Sequence, residues 1–418
     1  MPIRALHFAD LHVGMENYGR LDPATGVSSR IADFLARLDE ISQYAFDHDA
    51  DLIIFAGDAF KTRDPDPTQQ REFARRIKKL ADQIPVFMLV GNHDIPGVAA
   101  RATSIDIFRT LEVPNVLVGR QPGSQVIHTR SGEVFLGWMP FPVRNRLLLA
   151  QDDLRGASVD ELDRALESYV SDELVGLARQ AAEHDLPRVL VGHFSVSGAV
   201  YGSERSVMLG RDLAVQKSAL ADPAWDYVAL GHIHKHQNLT AKEQRSRGGG
   251  ENGLPPVVYS GSLERIDFGE EVEDKGFCWI ELERGLTTWE FVKVQARPFR
   301  TIKVDVRDEE DVTAAVIARI QGRDIEGAIV RVLIRLNESQ EAALRRREIE
   351  QALAPAANIA GISTEVERET RLPGIGSAPE ALTPQQWLER YFASKNKSPE
   401  RIQALLKAAE SLLDNSAA

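Results

Sequence analysis

The stretch Val86 to Asp94 reads Val-Phe-Met-Leu-Val-Gly-Asn-His-Asp, an apolar run that ends in a glycine and three polar side chains. Five consecutive apolar residues predict a strand buried on both faces, which is typical of a sheet covered by helices. The turn that follows offers an amide oxygen, an imidazole and a carboxylate side by side. We therefore predict an α/β fold with a polar site at the end of this strand.

Four more motifs of this kind lie within the first 234 residues. They are Asp10-Leu11-His12, Gly57-Asp58, Gly192-His193 and Gly231-His232-Ile233-His234, and an apolar run precedes each of them. A single Asp-x-His or Gly-Asp is typical of a surface turn, but the ordered set is not, and it contains five of the ten histidines. Such ligands suit two divalent cations that activate water and hold a phosphate. The sequence therefore predicts a binuclear metal site.

Bulk composition sets limits on the class of protein. With 418 residues the chain is long enough for two or three domains, and its 50 Lys and Arg against 62 Asp and Glu give a net charge of −12. That charge argues against a protein that coats nucleic acid by electrostatics alone. No apolar run approaches the roughly 20 residues of a membrane helix, and the early metal-type motif leaves no room for a signal peptide. The single cysteine, Cys278, predicts a cytoplasmic protein with that side chain buried.

Changes in the sequence pattern predict the domain organisation. Residues 1–296 alternate strand-like and helix-like stretches and hold every metal-type motif. A small α/β unit of strand, helix, strand, helix and strand follows at 297–370, with its second helix predicted over Ser339 to Leu353. A linker rich in proline and glycine is predicted at 371–383, and a pair of helices at 384–418.

The predicted tail helices present an apolar face at three- and four-residue spacing. Its members are Trp387, Leu388, Tyr391, Phe392, Ile402, Leu405, Leu406, Leu412 and Leu413. A helix pair this small, attached by a linker, either docks on a partner or packs back on its own chain. The spacing favours a partner but leaves both open.

The order of the five motifs resembles the calcineurin-like metallophosphoesterases. This resemblance implies a β-sandwich flanked by helices, in αββα layers, with two divalent ions, for which it favours Mn²⁺. It implies that Asp10, His12 and His234 hold one ion, that Asn92, His193 and His232 hold the other, and that Asp58 bridges them. His93 would act outside the ligand set by stabilising or protonating the leaving group, and Asp94 would orient the His93 imidazole.

Four stretches resemble the SbcD-type nucleases within that superfamily: residues 8–14, 192–198, 231–235 and 259–270. The similarity implies Mn²⁺-dependent DNA cleavage, as a 3′-to-5′ exonuclease on double-stranded ends and an endonuclease on single strands or hairpins. It also implies a homodimer, a small capping domain that contacts DNA, and a tail that binds an SbcC-type ATPase. Basic side chains near the cap are candidates for DNA contacts: Arg297, Arg300, Arg345, Arg346 and Arg347. For the last three, a solvated helix face is the alternative.

One residue departs from the family pattern. Many relatives carry a histidine where this chain has Lys61, so the balance between exonuclease and endonuclease activity is open, and Lys61 is a candidate phosphate contact. Two other functions remain as alternatives. In the first, the protein is a phosphodiesterase that acts on small molecules or nucleotides. In the second, it is mainly a structural subunit that tethers an ATPase to DNA and catalyses only weakly.

Overall fold

The computed structural model of the protein describes residues 1–24, 26–96, 101–144, 156–202, 213–241, 254–367, 383–395 and 397–413. Two six-stranded sheets dominate its first 300 residues. Among the described residues, no helix combines the length and the apolar composition that a membrane span requires.

Parallel strands form the centre of the first sheet. Its members are β1 (Ile3–Phe8), β2 (Leu52–Phe55), β3 (Val86–Leu89), β4 (Val116–Gly119), β13 (Gly276–Leu282) and β14 (Thr288–Lys293). The order across the sheet is β14-β13-β1-β2-β3-β4. Strands β1 to β4 are parallel, β13 is antiparallel to β1, and β14 is antiparallel to β13. Phe8, Phe55 and Met88 lie side by side, so the carboxyl ends of β1, β2 and β3 meet at one edge.

The second sheet has the same plan. Its members are β5 (Gly123–Thr129), β6 (Gly132–Met139), β7 (Arg188–His193), β10 (Tyr227–Gly231), β11 (Gln237–Asn238) and β12 (Val257–Tyr259). The order is β11-β12-β10-β7-β6-β5, with β6, β7, β10 and β12 parallel. Gly231 pairs with His193, so β7 and β10 also end together. Two short strands, β8 (Ser195–Val196) and β9 (Ala214–Val215), pair separately.

The two sheets pack face to face around a shared apolar core. Ala5, Ile54 and Leu89 of the first sheet contact a cluster that includes Val191 and Ala229 of the second, and Cys278 is buried within it. Helices α1 (Ser29–Asp47), α2 (Pro67–Ala81) and α3 (Asp106–Thr110) cover the outer face of the first sheet. Helices Val159–Ala182 and Lys217–Leu220 cover the second. The predicted αββα sandwich is confirmed.

Capping residues in the sequence mark the first turns of these helices. Ser28 caps α1, and Asp66 followed by Pro67 caps α2 by accepting hydrogen bonds from two backbone amides of the first turn. Ser158 and Glu161 form a reciprocal capping box at Val159. These caps satisfy amides that would otherwise lack partners at each helix start.

A three-stranded sheet follows, with β15 (Phe299–Asp305), β16 (Ile329–Asn337) and β17 (Asn358–Glu367) in that order and helix Val312–Gln321 after the first strand. The prediction of one helix over Ser339 to Leu353 is wrong. A 3₁₀ helix, Glu338–Ala343, and an α-helix, Arg346–Ala352, are separated there by Leu344 in an extended conformation. The amide of Arg345 donates to Thr313 Oγ1 at 3.0 Å, and this contact replaces a helical hydrogen bond.

The tail contains the two predicted helices, Pro384–Ser394 and Pro399–Leu413, and they contact each other. The chain divides into two compact units, one of Met1–Ile302, Gly322–Val332 and Glu350–Ile362, the other of Lys303–Gln321, Leu333–Ile349 and Ser363–Ala418. The domain boundaries drawn from sequence stay predictions. Apart from Thr383, the predicted linker lies outside the described residues.

Candidate metal centre

The predicted ligands lie at or within a few residues of the carboxyl ends of parallel strands. Asp10 and His12 follow β1, Asp58 follows β2, and His232 follows β10. All four have backbone φ angles between 48° and 97°, in the left-handed region that side chains other than glycine rarely adopt. Backbone strain of this kind concentrates at functional sites, where the surrounding structure holds it in place.

Glycines allow these loops to approach each other closely. Gly57 has φ of 101°, and a Cβ placed on it would lie 2.3 Å from His193 Nδ1. A Cβ on Gly91 would lie 2.1 Å from Asp58 Oδ1. Only glycine fits at either position without moving a predicted ligand.

A first group of ligand atoms joins Asp10, His12 and His234, all of which are buried. The Nε2 atoms of His12 and His234 are 3.0 Å apart. That separation is close to the distance between neighbouring nitrogens bound to one ion at about 2.1 Å. Three donors of this kind fit a single divalent cation.

A second group joins His193, Asn92 and His232 across the two sheets. Asn92 Oδ1 lies 3.0 Å from His193 Nε2 and 3.0 Å from His232 Nδ1. The backbone amide of His232 also donates to both carboxylate oxygens of Asp10 at 3.0 Å. The second group is therefore tied directly to the first.

Asp58 lies between the two groups. Its Oδ2 is 3.7 Å from His12 Nε2 and 3.3 Å from His193 Nε2, and its side chain is almost fully buried. Asp10 also belongs to a ligand group with Asp58 and His193. This position between the groups fits the bridging role that the family resemblance implies for Asp58.

The charge of the site also fits metal cations. Asp10, Asp58 and Asp94 are buried together, and in the described chain no lysine or arginine forms an ion pair with them. Burial raises the pKa of Asp10, and burial with the nearby charge of Asp58 raises the pKa of Asp94 to about 7. The pKa of Asp58 moves the opposite way because neighbouring imidazoles outweigh its burial. Divalent ions would supply the positive charge that three buried carboxylates need.

His93 stands at the edge of this cluster and is half-buried. Its Nδ1 is 2.7 Å from the carbonyl oxygen of Lys61, so Nδ1 carries the hydrogen and Nε2 is left for a substrate. The ring packs edge-on against His12, with centroids 4.8 Å apart, and a ring nitrogen forms a group with His12 and Asp58. His93 thus lies directly beside two predicted ligands, His12 and Asp58.

The structure corrects the prediction that Asp94 orients the His93 imidazole. The Asp94 carboxylate instead accepts backbone amides of Asp58 at 3.0 Å, Ala59 at 3.1 Å and Gly91 at 3.0 Å. The Lys61 carbonyl holds the imidazole. Asp94 is fully buried and cannot leave these amides without exposing them, so it holds together the two ligand loops, which carry Asp58 and Asn92, rather than the His93 imidazole.

Sequence reasoning missed the partner of His234. Glu270 is fully buried, and its Oε1 lies 2.9 Å from His234 Nδ1 while its Oε2 lies 2.9 Å from the buried Lys275 Nζ. Burial acts to raise the pKa of Glu270, but Lys275 and His234 outweigh burial and hold it below the ordinary value. The signal that could have found Glu270 is its place at the end of the SbcD-like stretch 259–270.

One candidate for a DNA contact, Arg297, is bound within the fold. The Arg297 guanidinium is bound by Asp33, at 2.6 Å from Nε to Oδ2, and by the Gly327 carbonyl at 2.8 Å. This side chain joins elements of the fold and is not free for a phosphate. Arg345 is exposed but pairs with Asp311 and Glu348. For the other candidates nearby, Arg300, Arg346 and Arg347, the role stays a prediction.

An open cleft of about 550 Å³ adjoins the metal centre. It is lined by Lys61, Thr62, Arg63, Asp64, Asn92 and His93. Neither Lys61 nor Arg63 forms an ion pair within the described chain. The cleft therefore carries positive charge beside His93, in a protein that is acidic as a whole.

The apolar residues of the tail differ in exposure. Ile402 and Leu406 are buried, and Leu388, Phe392 and Leu405 are half-buried. Tyr391 is 44% exposed. The side chains of Trp387, Leu412 and Leu413 lie outside the described part of the structure. Burial of Ile402 and Leu406 favours packing within the chain for those two side chains.

Comparisons with known proteins agree with this fold and site. A family model for calcineurin-like phosphoesterases matches residues 3–236, which hold all seven predicted ligands. The chain belongs to the calcineurin-like phosphoesterase family.

The chain is also similar to proteins with more specific names. The SbcD component of the nuclease SbcCD from Bacillus subtilis is 30% identical over 306 residues, which cover 69% of this chain and 69% of the relative. The corresponding SbcD component from Escherichia coli is 28% identical over 332 residues, covering 77% and 75%. The DNA double-strand break repair protein Mre11 of Archaeoglobus fulgidus is 24% identical over 364 residues, covering 81% and 69%.

Proposed function

We propose that the protein is a DNA nuclease that hydrolyses phosphodiester bonds at a binuclear metal centre. The convergence of all seven predicted ligands at the carboxyl ends of strands from both sheets carries this proposal. Similarity to the SbcD components of SbcCD nucleases, over 69% and 77% of the chain, supports DNA as the substrate.

The two ligand groups would hold one divalent ion each, and Asp58 would be shared. Ions bound there would activate water and polarise the phosphate. Imidazole, carboxylate and amide ligands together suit transition metals better than magnesium. We propose Mn²⁺, following the family resemblance.

The chain's own side chains would complete the reaction. The hydrogen bond to Lys61 would fix the His93 ring with Nε2 toward a leaving oxygen, and in the imidazolium form, in which both ring nitrogens carry a hydrogen, Nε2–H would protonate or stabilise that oxygen. Lys61 and Arg63 would hold the DNA backbone in the cleft by its phosphates. Asp94 would keep the ligand loops at the spacing that both ion sites need.

The proposal extends to the activity profile and assembly. We propose 3′-to-5′ exonuclease activity on double-stranded ends and endonuclease activity on single strands and hairpins, in a complex with an SbcC-type ATPase bound through the tail helices. A homodimer is part of the proposal, and the exposed Ile107 and Leu111 beside α3 support a contact surface. The single cysteine supports a cytoplasmic location.

The test is cleavage of an end-labelled hairpin DNA with Mn²⁺, with and without an SbcC-type ATPase. Hydrolysis of a small chromogenic phosphodiester is measured in parallel. We expect DNA cleavage that chelation abolishes and that Asp58→Asn loses. Hydrolysis of the small diester without any DNA cleavage would refute the nuclease assignment and favour a small-molecule phosphodiesterase.

A further inference from the structure

Glu270 lies directly behind the predicted metal ligand His234. It ends the 3₁₀ turn Phe268–Glu270, and its carboxylate is completely buried. Oε1 is 2.9 Å from His234 Nδ1, and Oε2 accepts the backbone amide of Ile266 at 3.0 Å. The carboxylate is thus fixed in position before any ion binds.

This contact decides which nitrogen of His234 carries the hydrogen. A carboxylate can only accept, so Nδ1 must donate, and the lone pair of the ring lies on Nε2. Nε2 is the atom that points to His12 Nε2, 3.0 Å away, within the ligand group of Asp10. A carboxylate behind a ligating imidazole also makes the imidazole a stronger donor to a metal.

The other group shows a weaker version of the same device. His193 Nδ1 lies 2.6 Å from the carbonyl oxygen of Ala56, a neutral acceptor. That contact fixes the tautomer but adds no full negative charge. A charged acceptor therefore lies behind the imidazole of His234, whereas a neutral acceptor lies behind that of His193.

The counter-ion of Glu270 is the buried Lys275. Its buried Nζ lies 2.9 Å from Glu270 Oε2 and 3.0 Å from Glu273 Oε2, and it donates to the His234 carbonyl at 3.2 Å. Within the described part of the chain, the Glu273 carboxylate contacts Lys275 but no predicted ligand. Glu273 therefore offers a matched control of the same charge.

We propose that Glu270 is a positioning residue that sets the metal affinity of the site formed by Asp10, His12 and His234, with Lys275 as its counter-ion. This inference rests on the binuclear centre of the proposed function. It does not depend on the substrate being DNA.

The test is Mn²⁺ titration of the metal-free full-length protein, followed by calorimetry and by the electron paramagnetic resonance signal of free Mn²⁺. Wild type is expected to bind two ions. Glu270→Gln keeps the side chain's shape but removes its charge, and it should weaken one site by about 10- to 100-fold and leave the other unchanged. Glu273→Gln should leave both affinities at the wild-type level.

Thermal melting in chelator shows whether each variant folds. Should Glu270→Gln fold poorly beside the unpaired lysine, Glu270→Gln with Lys275→Met removes both charges and should show the same loss at one site. Unchanged affinities in a folded Glu270 variant would overturn the inference, as would equal weakening by Glu273→Gln. Wild type that binds two ions but does not cut DNA would refute the nuclease function alone, and fewer than two ions would overturn both.

Discussion

The carboxylate of Asp94 accepts three backbone amides from the two loops that carry Asp58 and Asn92. In Asp94→Asn one oxygen becomes an NH₂ group, which faces amide donors and cannot accept from them. A buried amide without its acceptor costs about 1–3 kcal/mol. We expect Asp94→Asn to lower the free energy of unfolding of the metal-free protein by about 2 kcal/mol, measured by urea denaturation in chelator.

The same variant should also bind Mn²⁺ more weakly, because the ligand loops lose their fixed spacing. Ser104→Ala is the control, since its hydroxyl donates to Asp94 Oδ1 at 3.1 Å and the variant leaves the acceptor of all three loop amides in place. Normal stability and metal binding with a loss of turnover alone would instead favour a role for Asp94 through His93.

His93→Ala separates acid–base chemistry from metal binding. The ring is held by the Lys61 carbonyl and forms only the edge of the ligand cluster, so both ions should remain bound. Turnover should fall by about 100- to 10,000-fold, the usual contribution of a positioned acid or base. Mass spectrometry measures whether both ions remain bound, and DNA cleavage rates measure the loss of turnover. Loss of one ion would show that His93 is a ligand.

That the predicted ligand side chains lie close together was predictable from sequence, because each follows an apolar strand and neighbouring parallel strands end on the same side of a sheet. The contacts behind them were not. Nothing in the spacing shows that Asp94 faces amides of Asp58 and Ala59, or that Glu270 lies behind His234, since both contacts join loops 35 or more residues apart. The pairing of Arg297 with Asp33 could not be predicted for the same reason, because Asp33 is far away in sequence.

At the scale of elements, the loop after β2 brings Lys61 and Arg63 to the cleft beside His93. Each phosphate contact on a single strand adds about 0.7 to the slope of log affinity against log salt concentration. We therefore expect Arg63→Gln to weaken binding of single-stranded DNA and to reduce that slope by about 0.7. Fluorescence anisotropy at several salt concentrations, with metal-free protein, measures both.

Arg75→Gln on α2 is the matched control, because Arg75 is exposed but pairs with Glu72 at 3.3 Å. It should leave the salt slope unchanged. Hydrolysis of a small phosphodiester should also be normal in Arg63→Gln, since such a substrate has no neighbouring phosphate. An unaltered slope for Arg63→Gln would remove Arg63 from the DNA path.

His7 of strand β1 is buried between the sheets. The Nδ1 atom of His7 lies 3.2 Å from Tyr227 Oη on β10. Burial lowers the pKa of His7 from 6.5 to about 3. Below pH 6.5 the unfolded chain binds a proton that the folded chain refuses, so stability falls with falling pH until about pH 3. The loss from this group is about 1.4 kcal/mol per pH unit.

His7→Phe removes this titration. Between about pH 6 and about pH 4, its free energy of unfolding should therefore decline less steeply than that of wild type, by about 1.4 kcal/mol per pH unit. Its absolute stability at neutral pH is compared separately, because Tyr227 loses a partner. His128→Phe, at a position where the side chain is 80% exposed, is the control. A pH profile for His7→Phe parallel to wild type would show that His7 does not cause the acid sensitivity.

For the whole molecule, the sandwich was predictable because long apolar strands and amphipathic helices alternate, and local caps such as Ser28 and Asp66 agree with them. The third sheet was predicted in its order of elements but not in its second helix. There a tertiary hydrogen bond from the Arg345 amide to Thr313 outweighs the helical pattern. Spacing within one segment cannot reveal such a contact.

Removal of the tail helices tests whether partner binding and catalysis belong to separate parts of the chain. Every predicted ligand precedes residue 235, whereas the helices Pro384–Ser394 and Pro399–Leu413 carry the apolar face proposed for an SbcC-type ATPase. A chain ending at residue 382 should keep Mn²⁺-dependent cleavage of single strands within about twofold, because binding and chemistry belong to separate sites. It should lose co-purification with the ATPase.

Tyr391→Glu in the full-length chain is a milder companion to this truncation, since Tyr391 is 44% exposed and a charge there opposes an apolar contact. Size-exclusion chromatography with the ATPase and the hairpin assay are run on the same preparations. Loss of single-strand cleavage in the truncated chain would refute the assignment of the tail as a partner-binding segment. Retained ATPase binding by both variants would place the partner surface elsewhere on the nuclease.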